Sequence, residues 1–287
     1  MDVSFCIVNL NSKLHIQNCI SSISDSIKGM SYEINIADNN SIDGSLDLIS
    51  MHYSSIKLIK NTRNIGYTKA INQLLKVSRG NYLAILNPDT ILSDHSIYQL
   101  IKYISNRRDI GIIGPKVVNI NGNFQKSCRR GLARPKAVFS YFLGLSEVFP
   151  SNKHFTGYHL NHLDENEINE VSGVSGSCMI IKRKVIEEIG YFDERFFAYQ
   201  EDSDYCIRAM EHGWKVYYYP QAVVKHHGGM GGSNSVPFKA IFEWHRSYVR
   251  FYFKHFSKEH GMVFNTVYLA IMVIKLIFSE FKKLISI

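Results

Sequence analysis

Short apolar runs separated by polar, helix-like segments fill the first 118 residues of the chain. A short apolar run that is bounded by turn residues predicts a strand buried on both faces. Such runs predict strands at residues 3–8, 32–38, 56–59, 82–86 and 110–118. Helices are predicted between them at residues 14–26, 45–53 and 68–77. Strands that alternate with helices at this spacing favour an α/β fold with a mostly parallel central sheet flanked by helices.

The pattern changes after residue 118. Residues 119–170 are polar and irregular, and a long segment of this kind inside a compact domain is typically functional or mobile. Strands return at residues 177–181 and 214–220, and a helix is predicted at residues 202–211. We expect the glycine-rich stretch that starts at His226 to end a first domain. The predicted division is then a domain of residues 1–235 followed by a helical tail of residues 236–287.

Polar side chains follow three of the predicted strands at their ends. Asn9 and Asn11 follow the first strand, Asp38 ends the second, and the segment Asn87-Pro88-Asp89 follows the fourth. The carboxyl ends of parallel strands share one edge of a sheet, where open α/β sheets bind their ligands. One carboxylate at that edge can accept a hydrogen bond from a nucleotide base, and another can hold Mg²⁺ or Mn²⁺ on a diphosphate. Taken alone, the Asn-Pro-Asp segment is equally typical of an ordinary turn.

Several classes of protein are disfavoured by what the sequence lacks. It contains neither the G-x-x-x-x-G-K-[ST] pattern of P-loop NTPases nor a G-x-G-x-x-G after the first strand, as dinucleotide-dependent dehydrogenases have. The five cysteines form no C-x-x-C pair, which indicates reduced thiols in a cytosolic setting. The first residues have no basic segment followed by a long apolar run, so we do not expect a signal peptide.

The net charge is +8 and the pI about 9.1, which favours an anionic partner such as a nucleic acid, a nucleotide or a membrane surface. Eight basic and three acidic residues after residue 235 supply +5 of this charge. Because the excess lies beside an apolar segment and not across an aromatic-rich sheet, we do not expect a nucleic-acid partner.

The tail combines basic, aromatic and apolar residues. Residues 261–279 are apolar almost all round a helix, at the threshold length for crossing a bilayer. Four basic residues recur just before them at every fourth position: Arg246, Arg250, Lys254 and Lys258. This arrangement predicts peripheral attachment to an anionic membrane. A helix buried in the protein or in a homodimer, and a true membrane span, remain alternatives.

Five segments in order resemble glycosyltransferase family 2, and its bacterial rhamnosyltransferase-like members most of all. They are IVNLNS, ADNNSIDGS, NTRNIGYTKAINQ, LNPDT and the long stretch from VSGSCMII to VVKHHGG, between residues 3 and 229. The resemblance implies the GT-A fold, with a Rossmann-like nucleotide-binding sheet beside an acceptor-binding half. It also implies an inverting, metal-dependent enzyme that uses a nucleotide-sugar donor.

The resemblance assigns donor-side roles to residues of this chain. It implies that Asp38 pairs with the base, and that Asn9, Asn11 and Lys69 line the nucleotide pocket. Asn87 and Asp89 occupy the family's D-x-D position, with Asp89 and His226 as metal ligands. Asn87 departs from the family pattern because it is a neutral ligand, and this raises the question of weaker metal binding. Alternative interpretations stay open: Lys69 as a solvated charge, His226 as a structural histidine, and His227 as the true ligand.

On the acceptor side, Glu201 and Asp202 match the family's E-D pair, and Asp202 is implied as the catalytic base. Inverting transfer is a single displacement, so a carboxylate must take the proton of the acceptor hydroxyl. Arg129, Arg130 and Gly176 are candidates for contact with the acceptor or a diphosphate, since arginine matches phosphate oxygens. Three alternatives remain: the E-D pair as a helix N-terminal feature, Asp204 as the working acid, and the arginines as a solvated loop.

We therefore expect an inverting glycosyltransferase that moves a sugar, best rhamnose from dTDP-rhamnose, to a lipid-linked or polysaccharide acceptor in surface-glycan synthesis. It would need Mg²⁺ or Mn²⁺ and work in the cytoplasm on the inner face of the cell membrane. Galactofuranose, glucose and N-acetylhexosamine donors are alternatives. A catalytically weak subunit that binds nucleotide sugars is another, because of Asn87.

Overall fold

The alternating apolar runs form one nine-stranded sheet in the computed structural model, which describes residues 1–228 and 236–285. In chain order, strands β1 to β11 are Val3–Asn9, Tyr32–Asp38, Lys57–Lys60, Tyr82–Leu86, Thr90–Leu92, Ile110–Val118, Arg129–Arg130, Asn169–Glu170, Gly173–Val174, Cys178–Lys182 and Lys215–His226. The main sheet has the order β3-β2-β1-β4-β10-β6-β11-β5, and β8 pairs with β11. The β7 and β9 strands form a separate two-stranded sheet.

The strand directions bring polar residues to one edge of the main sheet. Strands β1 to β4 run parallel, and the register places Asn9 of β1 beside Asp38 of β2. On the other side of β1, Ile7 lies beside Leu86 of β4, so Asn87 leaves β4 at this same edge. The predicted fold, a mostly parallel sheet flanked by helices, is confirmed. Strand β10 differs, because it runs antiparallel between β4 and β6.

Helices cover both faces of the sheet and continue into a C-terminal pair. In chain order, α1 to α10 are Lys13–Ser26, Ser45–His52, Tyr67–Val77, Ser96–Ser105, Pro135–Phe142, Leu145–Val148, Arg183–Ile189, Glu201–Glu211, Pro237–His255 and Met262–Ile285. Apolar residues of α1, α2 and α4 pack on one face, and those of α3, α7 and α8 on the other. Strand β1 is buried along its whole length because both of its faces are covered.

Short elements account for most of the differences from the predicted pattern. The segment predicted to be irregular contains β7, β8 and the helices α5 and α6, each of which is too short for a clear hydrophobic period. Strand β5 has three residues and follows the Asn87–Asp89 turn directly, so it is not visible as a separate run. The end of the glycine-rich stretch, after Gly228, lies outside the described residues.

Strand β11 extends past Pro220, where the sequence predicted its end. Pro220 has no backbone N–H to donate, and prolines inside a sheet are found at edges or bulges. The register with β6 is interrupted here: Tyr219 lies opposite Pro115, and Val223 opposite the next residue, Lys116. This bulge accommodates the proline and lets β11 reach His226 at the polar edge.

The first helix of the predicted tail is part of the folded body. Tyr248, Phe251 and Tyr252 of α9 are buried in an apolar cluster with residues of α5 and α8. Helix α10 joins this cluster only through Tyr268 and Met272, and most of its other apolar residues are exposed. The proposed boundary at residue 235 therefore does not separate two independently packed units.

A buried carboxylate connects α8 to α9. Asp204 is fully buried, and its oxygens lie 2.6 Å from Lys254 Nζ, 2.7 Å from His255 Nε2 and 3.1 Å from Arg208 Nε. Burial alone would raise the pKa of Asp204, but the hydrogen bonds from His255 and Lys254 outweigh it and hold this pKa below its ordinary value. Asp204 is thus committed to packing, which disfavours it as the working acid of a cleft.

The network at Asp204 predicts a large effect on stability. We expect Asp204→Asn to lower the free energy of unfolding by about 3 kcal/mol at neutral pH, because it leaves buried cations uncompensated. A depressed carboxyl pKa contributes stability that is present above the unfolded value of about 3.9 and lost as the pH falls through the folded value. Urea unfolding at neutral and acidic pH measures both effects. Asp109→Asn, which removes an exposed ion pair with Lys215, should change neither measurement.

Candidate active site

A cavity of about 540 Å³ opens at the polar edge of the sheet. The ends of β1 and β4, the loop before β10, the start of α8 and the first half of α9 all contribute to its lining. Among the predicted site residues it contains Asn87, Asp89, Arg130, Gly176, Glu201, Asp202 and His226. The structure therefore brings the candidate metal ligands and the candidate base to one cavity, although they are far apart in the chain.

One wall of the cavity carries Asp89 and His226. Asp89 is buried, and its Oδ1 lies 3.2 Å from His226 Nε2, while its Oδ2 accepts from the backbone N–H of Gly228 at 3.1 Å. The side-chain amide of Asn87 lies 3.2 Å from the same His226 nitrogen. His227, the alternative ligand, donates its backbone N–H to the Asp89 carbonyl oxygen at 3.1 Å, and its ring centroid lies 4.5 Å from that of His15.

Gln125 fixes the orientation of the His226 ring. Its Nε2 donates to the His226 carbonyl oxygen at 2.7 Å, so its Oε1 is the atom that lies 3.0 Å from His226 Nδ1. A carbonyl oxygen only accepts, and Nδ1 must therefore carry the hydrogen. In the neutral ring this leaves a lone pair on Nε2, which can accept a hydrogen bond from Asn87 Nδ2 and also lies 3.2 Å from the Asp89 carboxylate. Two electron-pair donors this close are stabilised by a shared proton or a shared cation.

The residues on this wall fit a divalent cation that is also bound by phosphate. They provide one carboxylate, one imidazole and one amide. Mg²⁺ and Mn²⁺ in nucleotide sites typically take only one or two protein carboxylates and the remaining ligands from phosphate and water. Within residues 1–228 and 236–285 there is no cluster of three or more His, Cys, Asp and Glu residues that could enclose a metal by itself.

The same cavity lining includes Glu201 and Asp202 at the start of α8. Asp202 Oδ2 accepts a hydrogen bond from the Arg130 guanidinium and another, at 3.0 Å, from the backbone N–H of Gly176. Asp202 Oδ1 accepts from the backbone N–H of Ser203 at 2.7 Å and from the Ser203 hydroxyl at 3.4 Å, a long bond that a substrate hydroxyl could replace. The carboxylate is therefore held in place, with its charge compensated and one oxygen able to accept a proton.

Glu201 differs from its neighbour in its electrostatic environment. Burial, and then the charge of Asp202, raise the pKa of Glu201 to about 8. Its Oε2 has no hydrogen-bond partner among the described residues, and the same holds for other buried atoms of the cavity lining, among them Tyr67 Oη, Gln200 Oε1 and Arg130 Nε. Buried polar atoms usually find partners, so this group indicates a surface for a hydroxyl-rich ligand.

The backbone just before Glu201 is strained. Tyr199 and Gln200 both have positive φ, 68° and 62°, which non-glycine residues rarely adopt. The amide of Gln200 is oriented by Tyr158, since its Nε2 donates to the Tyr158 hydroxyl at 3.2 Å. Strain of this kind persists where the surrounding structure holds it, and it is frequent at functional sites.

Four of the predicted donor-side residues do not line the cavity. Asn9 and Asp38 are buried and bonded to each other at 2.6 Å, and Ser41 donates to Asp38 through both its N–H and its hydroxyl. The side chain of Asn11 accepts from the Ile42 N–H at 2.9 Å. Lys69 is exposed on α3 and outside the lining. Asn9, Asp38 and Asn11 thus shape the loop after β2, and Asn39 of that loop lines the cavity.

The structure contradicts the expectation for Arg129. Its two terminal nitrogens each donate at 2.6 Å, one to the carbonyl oxygen of Asp164 and the other to that of Leu163. The side chain is almost fully buried, 4.9 Å from the Tyr218 ring centroid. Arg129 therefore holds the middle segment against the sheet and is not available to a diphosphate. Adjacent residues in β7 point to opposite faces, and Arg130 alone enters the cavity.

The sequence analysis did not predict three residues of the cavity lining, Tyr67, Gln200 and Trp244, or the residue that orients His226, Gln125. Gln125 meets His226 across 101 residues, and no local pattern marks such a contact. Trp244 belongs to the segment interpreted as a membrane-facing tail. Its aromatic neighbours Tyr248 and Phe251 repeat at helical spacing, and this could have indicated a packed helix face.

Comparison with solved structures shows the same fold. A mannosyltransferase from Pyrobaculum calidifontis, in complex with GDP-Man and Mn²⁺, matches with a TM-score of 0.59 at 14% identity. The match covers 90% of this chain and 64% of that one. The fragment 1–349 of TarS from S. aureus, in complex with UDP, matches with a TM-score of 0.55 at 13% identity, over 88% and 65% of the two chains.

Two curated proteins are similar in sequence. The N-acetylglucosaminyl-diphospho-decaprenol L-rhamnosyltransferase of Mycobacterium tuberculosis is 30% identical over 203 residues. That alignment covers 67% of this chain and 65% of the mycobacterial protein. The rhamnosyltransferase WbbL of Escherichia coli is 22% identical over 228 residues, which cover 75% and 79% of the two chains. The model of the family described as Glycosyl transferase family 2 matches residues 4–190. The chain therefore belongs to glycosyltransferase family 2.

Proposed function

We propose that the chain is an inverting glycosyltransferase that transfers a sugar, best rhamnose from dTDP-rhamnose, to a lipid-linked acceptor in surface-glycan synthesis. The observation that carries the proposal is that one cavity contains two different polar groups. Asp89 and His226 form a site for a diphosphate-bound cation, and Asp202 in the same cavity is a carboxylate held by Arg130 and Gly176. A single displacement needs these two functions on opposite sides of the anomeric carbon.

The donor lies along the edge formed by β1, β2 and β4. Its diphosphate faces Asp89 and His226, and a bound Mg²⁺ or Mn²⁺ would supply the positive charge that stabilises the leaving diphosphate. Its base lies toward the loop after β2, where Asp38 and Asn9 hold the backbone and Asn39 enters the cavity. Asn87 is an oxygen donor for the cation in this proposal if its amide turns away from His226.

The acceptor hydroxyl lies against Asp202. As its oxygen forms a bond to the anomeric carbon, the bond to the diphosphate breaks and the proton passes to Asp202. Arg130 and the Gly176 N–H hold this carboxylate in position, which lowers the entropic cost of reaching the reactive geometry. Glu201, protonated below pH 8, donates a hydrogen bond to a sugar hydroxyl.

The names of the relatives support rhamnose and a lipid-linked acceptor. The mycobacterial relative is a rhamnosyltransferase whose name gives N-acetylglucosaminyl-diphospho-decaprenol as its acceptor, and the Escherichia coli relative is also a rhamnosyltransferase. For the present chain both assignments are part of the proposal. They predict that dTDP-rhamnose is preferred over other nucleotide sugars in a thermal-shift comparison.

A lipid-linked acceptor places the enzyme at a membrane, and α10 is suited to attach it there. By length and composition this helix could cross a bilayer, and only 11% of its most apolar part is buried in the protein. The basic residues before it contribute less than the sequence suggested. Arg246 is paired with Glu243 at 2.5 Å, and Lys254 is paired with Asp193 and Asp204. Attachment through the apolar face of α10 on the cytoplasmic side is therefore the proposal.

One prediction of the proposed mechanism separates the roles of the two carboxyl groups at the start of α8. Asp202→Asn should lower kcat by on the order of 10²–10⁴, because an amide cannot take the acceptor proton, with little change in donor affinity. Glu201→Gln is the matched control, since it keeps a hydrogen-bond donor at the neighbouring position. It should stay active at neutral pH.

The same pair predicts the pH profile of kcat/KM. Ionisation of Glu201 at about pH 8 removes its donor and adds a second charge beside Asp202, so activity should fall above that pH. Glu201→Gln should abolish this fall. Near-normal turnover of Asp202→Asn would rule out Asp202 as the base, and an unchanged alkaline limb in Glu201→Gln would reject the role given to Glu201.

A second prediction concerns the cation. Gln125→Leu frees the His226 ring and should weaken Mn²⁺ binding by about 10–100-fold, as is usual when a residue that orients a ligand is lost. Titration of Mn²⁺ followed by electron paramagnetic resonance, in the presence of dTDP, measures this without turnover. Gln99→Leu, on α4 and outside the cavity lining, is the control. Equal Mn²⁺ affinity in the two variants would contradict a cation site at Asp89 and His226.

A third prediction concerns attachment to vesicles. Ile274 and Ile277 are 66% and 62% exposed on α10, and replacing both by Glu should reduce flotation with lipid vesicles by about tenfold or more. The wild-type protein should still float at high salt, since the apolar contact is not screened. Met51→Glu, at an exposed apolar position on α2, should float normally. Flotation of the α10 double variant like wild type would show that this face does not attach the protein.

A further inference from the structure

A second, smaller cavity of about 300 Å³ lies between α9 and α10. Its described lining consists of Tyr199, Ala240, Ile241, Trp244, His245, Lys275 and Ser279. Tyr199, Ala240 and Trp244 also line the main cavity, so the two spaces share a wall. The smaller cavity therefore lies between the candidate active site and the helix whose apolar surface is exposed.

Lys275 is the one charged residue in the apolar stretch from Met262 to Phe278. It does not face outward with the exposed apolar residues. The inward-facing residues of α10 are Tyr268, Met272, Lys275 and Ser279, which follow the 4-3-4 spacing of a single helix face. Lys275 is thus placed toward α9 and the smaller cavity, on the opposite side from Ile274 and Ile277.

The ammonium group of Lys275 lies over two aromatic rings. Its Nζ lies 4.4 Å from the centroid of Phe142 and 4.7 Å from that of Trp244. None of the ion pairs formed by the described residues includes Lys275, in contrast to Arg246 and Lys254 on α9. The other ionisable side chain that can carry a positive charge in this lining is His245, whose Nδ1 lies 2.8 Å from the Ile241 carbonyl oxygen.

A half-buried cation without a carboxylate partner is costly, and cation–π contacts offset only part of that cost. An anionic group in the cavity would compensate the charge. An apolar chain attached to that anion could lie along the exposed surface of α10, and a sugar on its other side could pass Trp244 into the main cavity. A prenyl diphosphate that carries a sugar has these three parts in this order.

We propose that the cavity at Lys275 binds the lipid-proximal phosphate of a prenyl diphosphate acceptor, with Lys275 as its ionic partner. The proposal rests on the proposed function for the identity of the transfer reaction, whereas the anion site itself rests on Lys275, its two aromatic neighbours and the cavity that they line. A free anion such as pyrophosphate carries the same charge and lacks the chain that α10 would hold.

The test uses full-length protein in phosphatidylcholine nanodiscs, with farnesyl diphosphate as the probe and a chelator present to disfavour binding at the donor diphosphate site. Trp244 beside Lys275 reports binding through its fluorescence.

We expect Lys275→Met to raise the Kd for farnesyl diphosphate by about tenfold to a hundredfold, as for a lost charge-assisted hydrogen bond. Lys275→Arg should bind nearly as well as wild type. Lys282→Met, which removes an exposed charge from the same helix, should bind normally. Pyrophosphate and farnesol should bind much more weakly.

Equal Kd values for Lys275→Met and Lys282→Met would overturn the proposal, and so would pyrophosphate binding as tight as that of farnesyl diphosphate. The thermal melting of each variant shows whether it is folded, and Lys275→Arg keeps the charge if Lys275→Met is unstable. Transfer to a prenyl-diphosphate-linked N-acetylglucosamine is measured separately. Lys275-dependent binding without transfer by the wild type would contradict the proposed function and support the site. Transfer with the same acceptor KM in Lys275→Met and Lys282→Met would support the proposed function and contradict the site at Lys275.

Discussion

The buried contact between Arg130 and Asp202 holds the candidate active site together. Arg130 comes from the middle segment of the chain and Asp202 from the start of α8, and both are almost fully buried. Removing one partner of such a pair leaves a buried charge without compensation, whereas the intact pair with its extra hydrogen bonds is tolerated. The contact therefore fixes the middle segment against α8 and determines where the Asp202 carboxylate lies. Glu201, Gln200 and Gly176 take their positions around it.

The cavity is also closed by α9, and this changes the meaning of the C-terminal region. Trp244 and Tyr248 line the cavity, while Phe251 and Tyr252 of the same helix pack in the apolar cluster that receives Tyr268 of α10. One helix thus contacts the candidate acceptor space on one turn and supports the exposed apolar helix on another. A chain cut after the sheet domain would lose a wall of its active site.

Much of the fold followed from local patterns, because strands buried on both faces leave continuous apolar runs that are hard to mistake. The edge where Asp89 would lie followed from the same rule. The role of a residue could be predicted from the sequence only where it followed from the place of that residue in a helix or strand, such as the end of a strand. Arg129 and Arg130 are adjacent and chemically identical, and the alternation of β7 alone decides that Arg130 meets Asp202. Asp204 and Asp202 lie two residues apart on one helix. Their roles differ because Asp204 is paired with Lys254 and His255 in the packed interior, whereas Asp202 lines the cavity. Contacts such as Gln125 with His226 depend on the whole topology.

The bulge in β11 has a consequence for how this chain can vary. Between Tyr219 and Val223 the strand contains three residues more than β6 does, and side chains alternate between the two faces of a strand. Loss or gain of one residue there would turn every later side chain of β11 to the opposite face, and His226 would point away from Asp89. Loss of two residues would keep the face but move the ring along the strand. Insertions and deletions in this strand are thus tolerated only if they change its length by an even number of residues. The loops at the other end of the sheet are free of this restriction.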